Sequence, residues 1–211
     1  MIESFNEMPL RVYEEILKLK DKELDAIDFE IELLALLTDM PVHDILDLPI
    51  NEYRGYLNKA QFISNMPEVE GKCNMDNINI NGKEYFIVKD LNKIITAQYI
   101  DFQSYLKMDN ATAHILSCFI IPKGKTYGKG YNINDVIKDI YELDVVTCME
   151  ICFFFIQLYQ ASILSILLYL DKMMKKMIRQ EKDKEKKKML KEKRQQILSI
   201  ANGVGFTQLR K

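Results

Sequence analysis

The sequence predicts a mainly α protein: a helical domain carrying one small β-hairpin at about 77–88, and a long C-terminal helix that extends as a basic arm. Three observations predict it. Apolar residues recur at helical spacing through the first sixty residues. One Asn-Gly pair, Asn81-Gly82, sits between two short runs rich in Ile, Tyr and Phe. From Val145 to about Ala201 neither glycine nor proline interrupts the chain.

The elements follow in order. "PLRVYEEILKLK", Pro9 to Lys20, has proline in a first-turn position, acids early and lysines late, and predicts a short helix. "DAIDFEIELLALLTD" places Ile27, Ile31, Leu34 and Leu37 along one stripe, and helices restart after Pro41 and Pro49. Asn81-Gly82 supplies the positive φ angles of a tight hairpin turn between Ile78/Ile80 and Tyr85 to Val88. A hairpin alone is marginal in water, so this one is expected against helices or against another chain's edge.

Thr96 is a candidate cap for "AQYIDFQSYLKM", and "ATAHILSCFII" predicts a further helix stopped by Pro122. The loop "PKGKTYGKGYN" is glycine-rich and basic. Asn132 or Asn134 can cap "DVIKDIYEL", and Asp144 can cap everything that follows, where geometry permits one helix of about 85 Å.

Composition bounds the function classes. A chain of 211 residues, 48% apolar, can bury one substantial core plus an extension, divided here as a body over 1–170 and a basic arm with a terminal docking peptide over 171–211. Four cysteines without framework spacing, and no basic-then-apolar N-terminal run, predict a reducing compartment and no secretion. Charge is asymmetric: 15 Lys/Arg against 26 Asp/Glu up to Glu150, and 14 against 5 beyond it. Such a basic tail serves a polyanion or an acidic protein surface, or simply solvates a long helix.

"CFFFIQLYQASILSILLYL", Cys152 to Leu170, followed by lysines, reads as a membrane span or as a packed helix. Stepping four and three from Val145 gives Met149, Cys152, Ile156, Tyr159, Ile163, Ile166, Leu170, Met173 and Met177, a helix-packing seam with Tyr159 its one polar member. Glu150, Gln157, Gln160, Ser162, Ser165 and Asp171 all miss it, which favours polypeptide over lipid, although so apolar a stretch satisfies several templates. The orientation set by the lysines would also require an acidic domain to cross first.

Beyond Met177 the same register turns basic. The arm's cations are Lys172, Lys175, Lys176, Arg179, Lys182, Lys184, Lys186, Lys187, Lys188, Lys191, Lys193 and Arg194, and Asp183 to Lys187 is a supportive i,i+4 pair on a solvated helix.

Residues that resemble catalytic or binding motifs lack the rest of the pattern. Gly124-Lys125-Thr126 ends like a phosphate loop, but Phe119 stands where that loop needs glycine. Cys148 and Cys152 lie one turn apart without further ligands in reach, and the histidines, His43 and His114, belong to no metal or triad arrangement. No catalytic residue, metal site or cofactor is therefore expected. Tyr127 and Tyr131 among Lys123, Lys125 and Lys129 have the local composition of a base-stacking loop, or of a loop anchored by its tyrosines.

"NGKEYFIVKDLNKIITAQYIDFQSYLK", Asn81 to Lys107, and "LSCFIIPKGKTYGKGYN", Leu116 to Asn132, resemble segments of a family of small tailed-phage proteins. These are tail-assembly-chaperone-like or minor virion proteins, including those of crAss-like phages. The resemblance rests on a strand, a "DLN" turn, a helix with "QYIDFQ" and an "IPKGK" loop with its tyrosine, and carries no catalytic signature. It implies a non-enzymatic helical protein made in the infected host cytoplasm, engaging other virion proteins and retained in the virion or released from it. The basic arm from Lys172 to Arg194 exceeds that pattern, and suits a fixed place along a neighbouring subunit or toward packaged DNA. Expected partners are thus other virion proteins, with self-association; the alternatives are nucleic-acid binding through the arm and a single-pass membrane protein.

Overall fold

The computed structural model describes residues 1–203, with side chains as far as Ser199. The C-terminal part of the expected docking peptide, 204–211, lies outside the described residues. The chain is mainly α with a small three-stranded antiparallel sheet, and it divides into two compact units, Met1–Phe154 and Phe155–Lys211.

The first unit opens with α1 (Leu10–Lys20), α2 (Ala26–Thr38), α3 (Val42–Leu46) and α4 (Ile50–Lys59). Pro9, Pro41 and Pro49 precede α1, α3 and α4, as a residue with fixed φ and no N–H does at a helix start. Asp25 caps α2 by accepting from the N–H of Asp28 at 2.8 Å. Met8, Val12, Ile16 and Leu19 pack with Leu33, Leu34, Leu37, Ile45 and Val145 in one core cluster. Of the expected α2 stripe, Leu34 and Leu37 are buried and Ile31 partly so, but Ile27 is exposed and Leu33 takes its place, because the apolar run is wide enough to turn.

The hairpin forms as β1 (Asn77–Ile80) and β2 (Lys83–Ile87), with Asn81 and Gly82 at φ 51° and 78° in the turn. Its outer edge is extended by β3 (Ile120–Pro122), antiparallel to β2 with Phe86 opposite Ile121. Here the expected helix over "ATAHILSCFII" is corrected. Helix α6 (Thr112–Ser117) stops early, and Ile120 and Ile121 are buried strand residues, since an apolar run this short obeys either period and strand pairing decides. Helix α5 (Thr96–Tyr105) is preceded by Ile95, so Thr96 is its first helical residue and not its cap. Helix α7 (Ile133–Ile140) is capped by Asn132, which accepts from Asn134 at 3.0 Å.

Lys83 and Tyr85 of β2 both hydrogen-bond the carboxylate of Asp139 on α7, tying the sheet to the helix that packs on it. Phe102 of α5 meets Phe119 edge-on, with ring centroids 5.0 Å apart. The chain then enters α8 (Val145–Gln180), whose start is fixed twice: Asp144 accepts from the N–H of Thr147 at 2.8 Å, and Val145 donates to the carbonyl of Met8 at 2.9 Å. Within this unit α8 buries Val145, Cys148, Ile151 and Cys152. The carboxylate of Glu150, on another face, accepts from the backbone N–H groups of Glu70 and Lys72 at 2.8 and 2.7 Å.

The long C-terminal helix region forms, but where geometry permitted one helix to about Ala201 the chain makes two. Helix α8 ends at Gln180 and α9 (Lys184–Gly203) begins after Asp183, whose carboxylate accepts from the N–H groups of Glu185 and Lys186 at 2.8 and 3.0 Å. Asp183 therefore acts as a cap, and not as the i,i+4 partner of Lys187. Arg194 of α9 donates to Asp171 of α8 at 2.6 Å. In one straight helix those residues would stand about 35 Å apart, so the chain must reverse between them. The arm is an antiparallel helical hairpin.

Candidate functional site

The hairpin divides the distal half of α8 into two faces. Leu164, Leu167, Asp171, Met174, Ile178 and Glu181 are half-buried, spaced three and four apart, and the Asp171–Arg194 bond identifies α9 as the layer over this line. Lys187, Leu190, Arg194, Ile197 and Leu198 are half-buried on α9 as far as Ser199. Asp171 is the ionic centre of this contact: Lys175 reaches its second oxygen at 2.8 Å. Burial pushes the Asp171 carboxyl up, but the bonds from Lys175 and Arg194 outweigh it and hold the group below the ordinary carboxylate range.

The seam read from the sequence lies one residue before this line. Val145 and Cys152 are buried and Met149, Ile156, Tyr159 and Ile163 are half-buried, but Ile166, Leu170, Met173 and Met177 are exposed, Ile166 by 59%. Packing against α9 thus falls on 164-167-171-174-178 and leaves 163-166-170-173-177 turned aside. Tyr169, 63% exposed, extends the uncovered stripe. The displacement has a physical cause: a polar-free seam avoids Asp171, whereas the folded hairpin includes Asp171 because Arg194 and Lys175 neutralise it.

Tyr169 and Met173 form the floor of a shallow groove along α8 whose other lining residues are Lys172, Lys175, Lys176 and Arg179. Lys175 is engaged by Asp171; Lys172, Lys176 and Arg179 have no ion-pair partner among the described residues. The same holds for Lys182, Lys184, Lys186, Lys187, Lys188, Lys191 and Lys193, so among the described residues Lys175 and Arg194 are the paired cations of the arm.

Helix α8 is long and apolar enough to cross a membrane, and little of its most apolar stretch is buried. The exposed residues through the middle of the uncharged segment are Gln157, Ala161 and Ser165, four apart on one line and small or polar. Exposed apolar side chains are Phe153, one step before this line, and a cluster at 166–177 with a length of about 18 Å, against the roughly 30 Å of a bilayer core.

The remaining candidate residues lie in the first unit. Tyr127 is buried and donates to Asp101 at 2.8 Å, so its ring anchors the glycine-rich loop and offers no face for stacking. Gly124-Lys125-Thr126 follows β3 and not the expected helix, and α7 begins only at Ile133, so no helix N-terminus stands behind it to receive a phosphate. Lys123 is paired with Glu84 at 2.8 Å. Cys73, Cys118, Cys148 and Cys152 are free and buried; burial pushes Cys118 up to about 12 and Cys152 up to about 11, which keeps both protonated. His114 stacks at a tilt on Tyr105, 5.2 Å between centroids, and His43 is exposed beside Asp44. No group of three or more His, Cys, Asp or Glu among the described residues is arranged to hold a metal ion.

Sequence reasoning missed the hairpin reversal and the Glu150 clamp. Asp183 carried the signal for the first, as an N-cap residue before a helix-forming run; nothing local signals the second, whose partners lie 78 and 80 residues away. No protein-family model matches the chain, and neither the curated proteins nor the solved structures contain a significant match.

Proposed function

We propose that the protein is a non-enzymatic structural or assembly protein of a tailed phage, working by contact with other virion components in the host cytoplasm and in the particle. The observation that carries this reading is the uncovered stripe of Ile166, Leu170, Met173 and Met177, apolar at the spacing of a helix-packing seam and left open by α9. Four large side chains in water at that repeat are the geometry of one half of a helix–helix interface. The phage context comes from the resemblance of Asn81–Lys107 and Leu116–Asn132.

The exposed Gln157 and Ser165 and the shortness of the apolar patch at 166–177 weigh against a lipid-facing span. The test is co-expression of the full chain with the virion proteins encoded alongside it, followed by co-purification. We expect a complex with one of them that is lost when Ile166 and Met173 are both changed to Ser while helicity by circular dichroism is retained. Co-purification with none of them, or equal recovery by the variant, overturns the reading.

A second reading, nucleic-acid binding, is favoured by one observation: Lys184, Lys188 and Lys191 share one edge of α9 without ion-pair partners among the described residues. It predicts DNA retention that falls steeply with salt and is lost when these three are changed to Gln.

A further inference from the structure

We infer that the Tyr169–Arg179 face of α8 binds an acidic amphipathic helix: apolar where it meets Ile166, Leu170, Met173 and Met177, and bearing Asp or Glu along the flank that meets Lys172, Lys176 and Arg179. The inference rests on the reading above and names its partner's chemistry. Going once around α8, the residues facing α9 come first, then the open apolar stripe, then the cations. The stripe is therefore bordered by the hairpin on one side and by uncompensated charge on the other. A bound helix would fill the apolar strip and place its own charged edge over the lysines, as flanking positions do in paired helices.

Three other occupants fit less of this surface. A second copy of the same face would set Lys172, Lys176 and Arg179 against their own kind, and like charges across an interface are repulsive. A nucleic acid would use the cations but gain nothing from Ile166, Met173 and Met177, since phosphate contacts need no apolar floor. A bilayer would bury the stripe, but the apolar patch is about 18 Å long, against the roughly 30 Å of a bilayer core. The methionines suit a helical partner whose own side chains vary, because an unbranched thioether side chain adapts its shape. At 1.5 Å per residue the patch accommodates about twelve residues of partner helix.

The experiment uses the full chain and two synthetic three-heptad helical peptides with leucine at both seam positions, one with glutamate and one with lysine at the flanks, read by fluorescence anisotropy. The acidic peptide is expected to bind at least about tenfold more tightly than the basic one. Combined Lys172→Glu, Lys176→Glu and Arg179→Glu should invert that preference, and Ile166→Ser with Met173→Ser should remove binding of either peptide. Equal affinity for the two peptides, absence of binding by both, or a preference that survives the charge reversal overturns the inference. Phosphatidylserine-containing vesicles or a DNA duplex bound in a manner lost in the triple charge variant, with no peptide bound, would assign the face to that surface instead and also overturn it. The two proposals fail separately. If capture of a virion protein is lost with the serine variant but survives charge reversal, contact through the stripe stands and the acidic partner does not.

Discussion

Arg194 donates from its Nε to the Asp171 carboxylate at 2.6 Å, joining residues 23 apart in sequence and holding α9 against α8. Asp171 keeps little solvent contact, so losing its charge leaves Arg194 facing an apolar line without compensation. Replacing Asp171 by Asn is expected to weaken the hairpin by about 1–2 kcal/mol, seen as faster amide exchange along Lys184–Ser199 with no change in α1–α7. Because the folded-state pKa of Asp171 is lowered, its contribution is complete above the unfolded carboxylate value of about 4 and is lost as pH falls through the lower folded value. Exchange in α9 should rise only in acid in the parent, and be fast throughout in the variant. Unchanged protection of α9 would show that the ion pair does not hold it.

The four thiols define a second expectation. Cys148 lies deep in the unit and burial pushes it well above the ordinary thiol value; Cys118 and Cys152 are raised for the same reason. Thiolate is the reactive form, so a native sample at pH 8 should show almost no fast reaction with a disulfide reagent, while denaturant releases all four. A rapid native phase equal to one thiol would mean that the packing around one of them opens readily, with Cys73, in the segment without helix or strand, the first to be tested by substitution.

What the sequence made legible was whatever depends on neighbouring residues. Asn81-Gly82 reports the turn because two successive positive φ angles are needed there, and Asn132 and Asp144 report helix starts because a short polar side chain satisfies the first free N–H groups. The break before α9 is local, at the Asp183 cap, but the other main misses are decided at a distance. Ile120 and Ile121 are a strand because β2 pairs with them. The packing line on α8 moved by one residue because Arg194, far along the chain, accommodates Asp171. The exposed stripe itself was visible as a seam, but its being open was not, since local periodicity cannot say which side α9 will cover.

Glu14 supplies a pH signature of the opposite sign to Asp171. It is buried on α1, its Oε2 accepting from the Tyr141 hydroxyl at 3.2 Å while its Oε1 has no partner among the described residues. Burial raises its carboxyl pKa, only partly offset by Tyr141. A raised folded-state value means that the proton stabilises the fold: this contribution is complete below the unfolded value of about 4.3 and lost as pH rises through the folded one. Glu14→Gln keeps the bond from Tyr141 and removes the buried charge. It should raise the Tm of the first unit at pH 7 by about 2–4 °C, a difference that closes near pH 4. A variant less stable than the parent at both values would show that the carboxylate is compensated in a way that the amide cannot reproduce.

Glu150 tests how the chain between the helical layer and the sheet is held. Its two oxygens accept from the N–H groups of Glu70 and Lys72, on either side of Gly71 at φ 68°, and those bonds lower its pKa below the ordinary carboxylate value. The segment 65–76 has neither helix nor strand, and a Lys72–Glu70 side-chain pair also lies at the bend. Such a segment stays closed only while its backbone donors are satisfied. Glu150→Ala should therefore make 65–76 the first site of limited proteolysis, with cleavage several-fold faster than in the parent and a Tm lowered by only a few degrees, because the core cluster of α1 and α2 does not depend on it. Glu150→Gln, which can satisfy one of the two donors, should fall between them. Cleavage that begins elsewhere in all three proteins would mean that the carboxylate caps the bend without restraining it.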